Sequence, residues 1–173
     1  MPLYEYDSLK PTVGDGTWVA PSAAVIGNVT IGSHCHIGFG AVIRGDFGPI
    51  IIGDETAVED NVVIHTASRT SIGSRVIIGH MAMIHDAIIE DEVLIGMKSM
   101  ICEDSFIGKG SFIAEQTLVL KNQRIPSGTI YAGSPAALKK NVSEQHRKMF
   151  KLGIEAYLDL NHRYHQTFKK IEG

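Results

Sequence analysis

The chain has 173 residues, 44% of them hydrophobic, and a formal charge of −3, enough apolar material for one domain with a substantial core. Its acids and bases are dispersed, so no basic run or basic-aromatic cluster offers a groove for nucleic acid. No long apolar stretch reaches membrane-spanning length, and Glu5 and Asp7 fall where a signal peptide needs an apolar run, so the expectation is a soluble, cytoplasmic protein with no membrane partner.

In chain order the first element is a repeat. From Val19 a β-branched residue recurs every six positions at Val25, Ile31, Ile37 and Ile43. Three extra residues intervene around Phe47 to Pro49, and the series resumes at Ile52, Val58 and Ile64. After two further extra residues it gives Ile72, Ile78 and Ile84, and after one short hexad it runs from Ile89 through Ile95, Ile101, Ile107, Ile113, Val119 and Ile125 to Tyr131. These nineteen hexads make about six turns at three per turn. Gly follows the lead residue at 32, 38, 53, 73, 79, 96 and 108, where close backbone turning favours it. Small or β-branched residues recur four places after the lead, as at Cys35, Ala41, Thr56, Val62 and Val76. A period of six fits neither a helix nor simple alternation; it fits an all-β solenoid of short parallel strands, each hexad one side of a triangular coil.

Beyond Gly133-Ser134-Pro135 the pattern changes. Ser143 is a good N-cap, and Met149, Phe150, Leu152, Ile154, Tyr157, Leu158, Leu160, Tyr164 and Phe168 recur at helical spacing up to about Lys169, with Gly153 the one weak point. The expected division is therefore a β-helix over 1–136 and a C-terminal helix within 137–173, its apolar stripe covering the side of that β-helix.

Register converts spacing into geometry, since residues three hexads apart lie one coil apart on the same face, roughly 4.8 Å. His65 and His85 both hold the second position of their hexads and are predicted to stack, with Arg44 one coil below and Cys102 one coil above. His80 holds a third position around a corner, with Asp60 below and Met97 above, and cannot easily reach the same ion within one chain. A neighbouring copy that presents its His80 column to the His65/His85 column would bring three imidazoles together, and a three-fold axis closes the ring. The register therefore predicts a homotrimer with one divalent metal per subunit interface. Three neutral imidazoles and an open position suit Zn2+ best, and Fe2+ or Co2+ suit the same nitrogens. His34 and His36 read as surface groups, and His146, His162 and His165 as solvated or packing groups on the helix. Cys35 and Cys102, far apart and without a paired motif, read as reduced thiols, with a fourth metal bond open to Cys102.

The segments Arg44-Gly45-Asp46, Glu59-Asp60-Asn61, Asn61-Val62-Val63-Ile64-His65, Ile78-Gly79-His80 and Ile84-His85 resemble the γ-class carbonic anhydrases. The resemblance covers nearly the whole chain, and Arg44 to Gly48, Ile95-Gly96-Met97 and Ser143-Glu144-Gln145 look most like the phenylacetate-degradation and carnitine-operon branch. It implies a left-handed parallel β-helix of hexapeptide repeats with a C-terminal α-helix, a trimer, and His65, His80 and His85 as metal ligands. Arg44, Asp46 and Asp60 would then serve at the interface. Two departures bear on catalysis. Ala57-Val58-Glu59 stands where the family reads Asn-hydrophobic-Gln, so two roles are open to Glu59: a general base beside the metal, or a cation binder that slows the reaction. No acidic shuttle loop is apparent between Thr66 and Ser71.

The function this implies is a lyase in which a three-histidine metal lowers the pKa of bound water and supplies hydroxide to carbon dioxide, giving bicarbonate. Hydrolysis of an acyl-CoA thioester by the same site is the related alternative. A metal-free hexapeptide-repeat acyltransferase would use one histidine on a long loop, which this chain lacks, and a non-catalytic metal-binding scaffold would keep the fold and the ion alone.

Overall fold

In the computed structural model, which describes residues 1–171, each row of lead residues stacks as a parallel ladder. On one face Ile43, Ile64, Ile84, Ile101 and Val119 pair in turn. On the second face Ile52, Ile72, Ile89, Ile107 and Ile125 do so, and on the third Val19, Ile37, Val58, Ile78, Ile95, Ile113 and Tyr131. Every lead from Val25 to Ile125 points inward and is no more than 2% exposed. Each such side chain contributes roughly 2 kcal/mol by leaving water, so the core grows coil by coil. The result is a parallel β-helix of hexapeptide repeats with about seven turns and, among the described residues, a single C-terminal helix.

The coil starts before residue 19. Leu3–Tyr4 and Thr12–Val13 pair in parallel with Ala24–Ile31, and Val13 aligns with Ile31, which extends the six-residue series one step toward the N-terminus. This accounts for the extra turn beyond the sequence count.

The glycines after the lead residues have a different reason from the one expected. Gly79 is not in the left-handed region, but a Cβ there would lie 2.7 Å from the Met97 nitrogen of the next coil. Close stacking of coils, not turning, excludes a side chain at that position. The corner itself is turned two residues later, where Met81 adopts φ 61°, and the same left-handed corner recurs at Glu55, Asn61, Arg75, Glu92 and Lys98.

The irregular hexads shape the surface near the histidines. Ala24–Ile31 and Val42–Ile52 run through a corner while paired to each other, and their register shifts between Gly27 and Val29, opposite the extra residues around Phe47. That bulge carries Asp46 and an outward Phe47, 72% exposed, beside the His65 row.

At the C-terminal end, Ala137–Asn141 is a strand antiparallel to Thr129–Ala132, so the segment grouped with the helix begins with a strand that finishes the sheet. Ser143 then caps the helix Glu144–Thr167, its hydroxyl accepting from the His146 N–H, and the helix runs unbroken through Gly153. At Gly153 the missing side chain lets the helix lie close to the coil, since a Cβ there would stand 3.1 Å from Ile77 Cδ1. Ile154 is buried with Ala57 and Ile77, and Tyr164 stacks on Trp18 at 4.3 Å. Residues 172 and 173, the end of the expected helical unit, lie outside the described residues.

Candidate metal centre

The strand pairing that aligns Ile64 with Ile84 also aligns His65 with His85, and it sets Arg44 beside His65 one coil below. The two imidazoles stack with ring centroids 5.2 Å apart and are largely sheltered, at 15% and 23% side-chain exposure. Carboxylates surround them. Asp46 Oδ1 lies 2.9 Å from His65 Nε2, and the second Asp46 oxygen accepts from the Arg44 guanidinium. Burial pushes the Asp46 carboxyl up, but the hydrogen bonds from His65 and Arg44 outweigh it and hold the group below the usual carboxylate range. Arg44 thus pairs with Asp46 of its own chain.

His85 Nδ1 faces two carboxylates at 3.7 Å, Asp86 Oδ2 and Glu103 Oε1, and Lys121 Nζ holds the other Glu103 oxygen at 3.0 Å. Carboxylates on that side favour the ring proton on Nδ1 and leave Nε2 open as a donor to a metal. Asp86 also fixes the chain between the two histidine rows. Its Oδ1 accepts from the Thr66 hydroxyl and from the backbone N–H groups of Ala67, Ser68 and Arg69, the last three at 2.8, 2.9 and 3.2 Å. Above His85, Met83, Met100, Ile101, Cys102 and Leu120 line an apolar pocket of about 460 Å³ with Glu103 and Lys121 at its polar side.

His80 belongs to a second cluster. Its Nδ1 accepts from the Asp60 N–H at 3.2 Å, which places the proton of the neutral ring on Nε2, facing Glu59 Oε2 at 3.1 Å. Glu59 is almost fully buried, its Oε2 also accepting from the His80 N–H at 2.9 Å and its Oε1 from the Tyr157 hydroxyl at 2.6 Å. Burial first, and then this hydrogen bond to a carboxylate, holds the Tyr157 proton far above the ordinary phenol range. Asp60 Oδ1 accepts from the Phe39 N–H at 2.8 Å, while its Oδ2 lies 3.6 Å from His80 Nδ1.

Among the described residues of one chain, no three His, Cys, Asp or Glu side chains gather where they could hold a metal ion. His65 and His85 form one pair of donors, and His80 with Glu59 forms another around the corner. Their chemistry fits a borderline divalent cation: imidazole nitrogens with carboxylates behind them and an apolar pocket alongside.

His36 and Tyr157 differ from expectation, whereas Cys35 is the free thiol the sequence predicts. His36 is buried, not a surface group: its Nδ1 meets Asn161 Oδ1 at 2.8 Å, and Trp18 stacks on it. Burial, opposed by the Asn161 hydrogen bond, lowers its pKa. Cys35 is a core thiol that burial pushes up to about 11. Tyr157, read as part of the helix's apolar stripe, delivers its hydroxyl to Glu59; the signal for this was that a buried tyrosine needs a partner for its O–H.

Residues 10–45 match the family profile described as bacterial transferase hexapeptide (six repeats), and residues 28–66 that of the hexapeptide repeat of succinyl-transferase. The chain is 34% identical to γ-carbonic anhydrase 2, mitochondrial, of Arabidopsis thaliana, across 87% of this chain and 57% of that protein. It is 32% identical to carnitine operon protein CaiE of Escherichia coli, across 99% of this chain and 89% of CaiE. It spans little more than half the length of the plant relatives it matches. A hexapeptide transferase family protein of Anaplasma phagocytophilum superposes with a TM-score of 0.91 at 31% identity, over 94% of this chain and 97% of that one.

Proposed function

The chain belongs to the hexapeptide-repeat family that contains proteins named γ-carbonic anhydrase and carnitine operon protein CaiE, and from that premise we propose that it is a homotrimeric, metal-dependent lyase that hydrates carbon dioxide to bicarbonate. The observation that supports this is the separation of donors: a stacked His65/His85 pair on one face and His80 around a corner from it. Two copies related by a three-fold axis can join what one copy holds apart.

His65 and His85 of one subunit and His80 of the partner subunit hold the ion, with Zn2+ the expected metal and Fe2+ or Co2+ suited to the same nitrogens. When bound, such an ion lowers the pKa of water toward neutrality, which is the chemistry carbon dioxide hydration requires. Asp46, fixed by Arg44, and Glu103, fixed by Lys121, orient the rings of His65 and His85. The Arg44/Asp46 pair and Asp60 border the faces that would meet between subunits. Glu59, pinned by Tyr157 and the His80 N–H, is the carboxylate nearest His80.

A second reading has an observation of its own. The apolar pocket of about 460 Å³ that adjoins His85 is far larger than carbon dioxide needs, and it suits the acyl group of a thioester, which the same site would hydrolyse. Metal analysis of anaerobically purified protein, followed by both assays on that sample, separates the readings. The expected result is one divalent ion per subunit and carbon dioxide hydration that chelation abolishes. Thioester hydrolysis without hydration would replace the first reading by the second, and loaded protein inert in both assays would leave a metal-binding scaffold.

A further inference from the structure

We propose that Glu59 is a fourth protein ligand to the metal, so that each subunit contributes a Glu59/His80 pair to one site and a His65/His85 pair to the next. This rests on the three-histidine reading above and adds to it a ligand from this chain's own departure from the family pattern.

Glu59 Oε2 and His80 Nε2 stand 3.1 Å apart. With metal–donor bonds of roughly 2.1 Å, donors at that separation subtend roughly 95° at the ion, the angle of adjacent ligands in a five- or six-coordinate centre. Tetrahedral ligands would stand roughly 3.4 Å apart with the same bonds.

Glu59 is also held as a ligand has to be held. Tyr157 fixes Oε1 at 2.6 Å, and the His80 N–H fixes Oε2 at 2.9 Å, so the carboxylate is oriented by groups that do not themselves compete for the metal. His80 is 45% exposed, so its ring can be approached from outside the chain, and Glu59, 11% exposed, lies directly beside it.

The Asp60 N–H contact at Nδ1 places the ring proton on Nε2, in the space between the two donors. With an ion in that position the ring's single proton would have to move to Nδ1, giving up the contact from the Asp60 N–H for one to Asp60 Oδ2, 3.6 Å away. A carboxylate in the donor set would raise the coordination number above that of three imidazoles and one water, which suits Fe2+ or Co2+ better than the four-coordinate preference of Zn2+.

The test is cobalt(II) loading of the full-length assembled protein under anaerobic conditions, read by stoichiometry, affinity and visible absorption. Wild type is expected to bind cobalt with the weak absorption of five or six ligands. Glu59→Gln keeps the shape of the side chain and the three histidines, and is expected to bind at least about tenfold more weakly, with the intense absorption of four-coordinate cobalt. Tyr157→Phe leaves the carboxylate in place and is expected to keep the wild-type spectrum with a smaller loss of affinity. If wild type and Glu59→Gln share one spectrum and one affinity, Glu59 is not a ligand and the three-histidine site stands. A wild-type spectrum already of the intense four-coordinate kind overturns the proposal without any variant. Wild type that binds no cobalt overturns the three-histidine reading and this proposal together.

Discussion

His65→Ala, His80→Ala and His85→Ala are each expected to lower metal affinity by more than about 100-fold, leaving protein that loses its ion on dialysis. Each removes one imidazole from the proposed ligand set, so the three variants should fail together despite lying on two faces of the coil. All three side chains point out of the coil, and the inward leads Ile64, Ile78 and Ile84 beside them are untouched. The metal-free variants should therefore unfold within about 1 kcal/mol of metal-free wild type. Metal content by elemental analysis and unfolding by circular dichroism report the two quantities separately. Full stoichiometry in His80→Ala would remove that residue from the ligand set.

Asp86→Ala is expected to have the largest effect on stability among substitutions near the site. One Asp86 oxygen accepts from Thr66, Ala67, Ser68 and Arg69, and Thr66 is fully buried, so its hydroxyl has no water to turn to. Loss of that acceptor should cost about 3 kcal/mol and loosen the segment between the two histidine rows. The same carboxylate makes stability pH-dependent. Burial pushes its pKa up, but the four hydrogen bonds outweigh burial and leave the folded value below the ordinary one. Its contribution is thus fully present above the unfolded pKa of about 3.9 and is lost as pH falls through the folded value. Urea unfolding of wild type and Asp86→Ala from pH 7 downward should show a gap that narrows only in that acid range. A gap that stays constant would mean that the lost stability comes from packing and not from the carboxylate.

The fold was legible because its physics is periodic. A β-branched residue at every sixth place has to point inward in each strand, and the displaced counts after Ile43, Ile64 and Ile84 mark where the coil bulges or tightens without losing register. The same counting placed His65 over His85 and His80 around the corner. What it could not show were relations that depend on side-chain reach across elements. The helix stripe announced that Tyr157 and Tyr164 face the coil, but not that the Tyr157 hydroxyl ends on Glu59 or that Asn161 dips inward to meet His36. His36 itself sits in a strand position whose outer side is exposed until the helix covers it, so local sequence alone reads it as surface. At Gly79 the repeat shows that glycine is needed, but the turn belongs to Met81, and the demand comes from a backbone one coil away. The strands at Leu3–Tyr4 and Ala137–Asn141 carry no hexad signature, because they cap the solenoid ends by pairing on one side only.

The proposed sharing of one ion between two chains is tested most directly by mixing His80→Ala subunits with His65→Ala subunits, neither of which should hold metal alone. In a three-fold ring, a His80-intact chain next to a His65-intact chain rebuilds one complete set of ligands, and each mixed trimer contains about one such junction. Once mass spectrometry has verified exchange into mixed trimers, metal should reappear at up to about one ion per mixed trimer. If verified mixed trimers remain free of metal, the ligands do not come from neighbouring subunits and the proposed site between them is wrong.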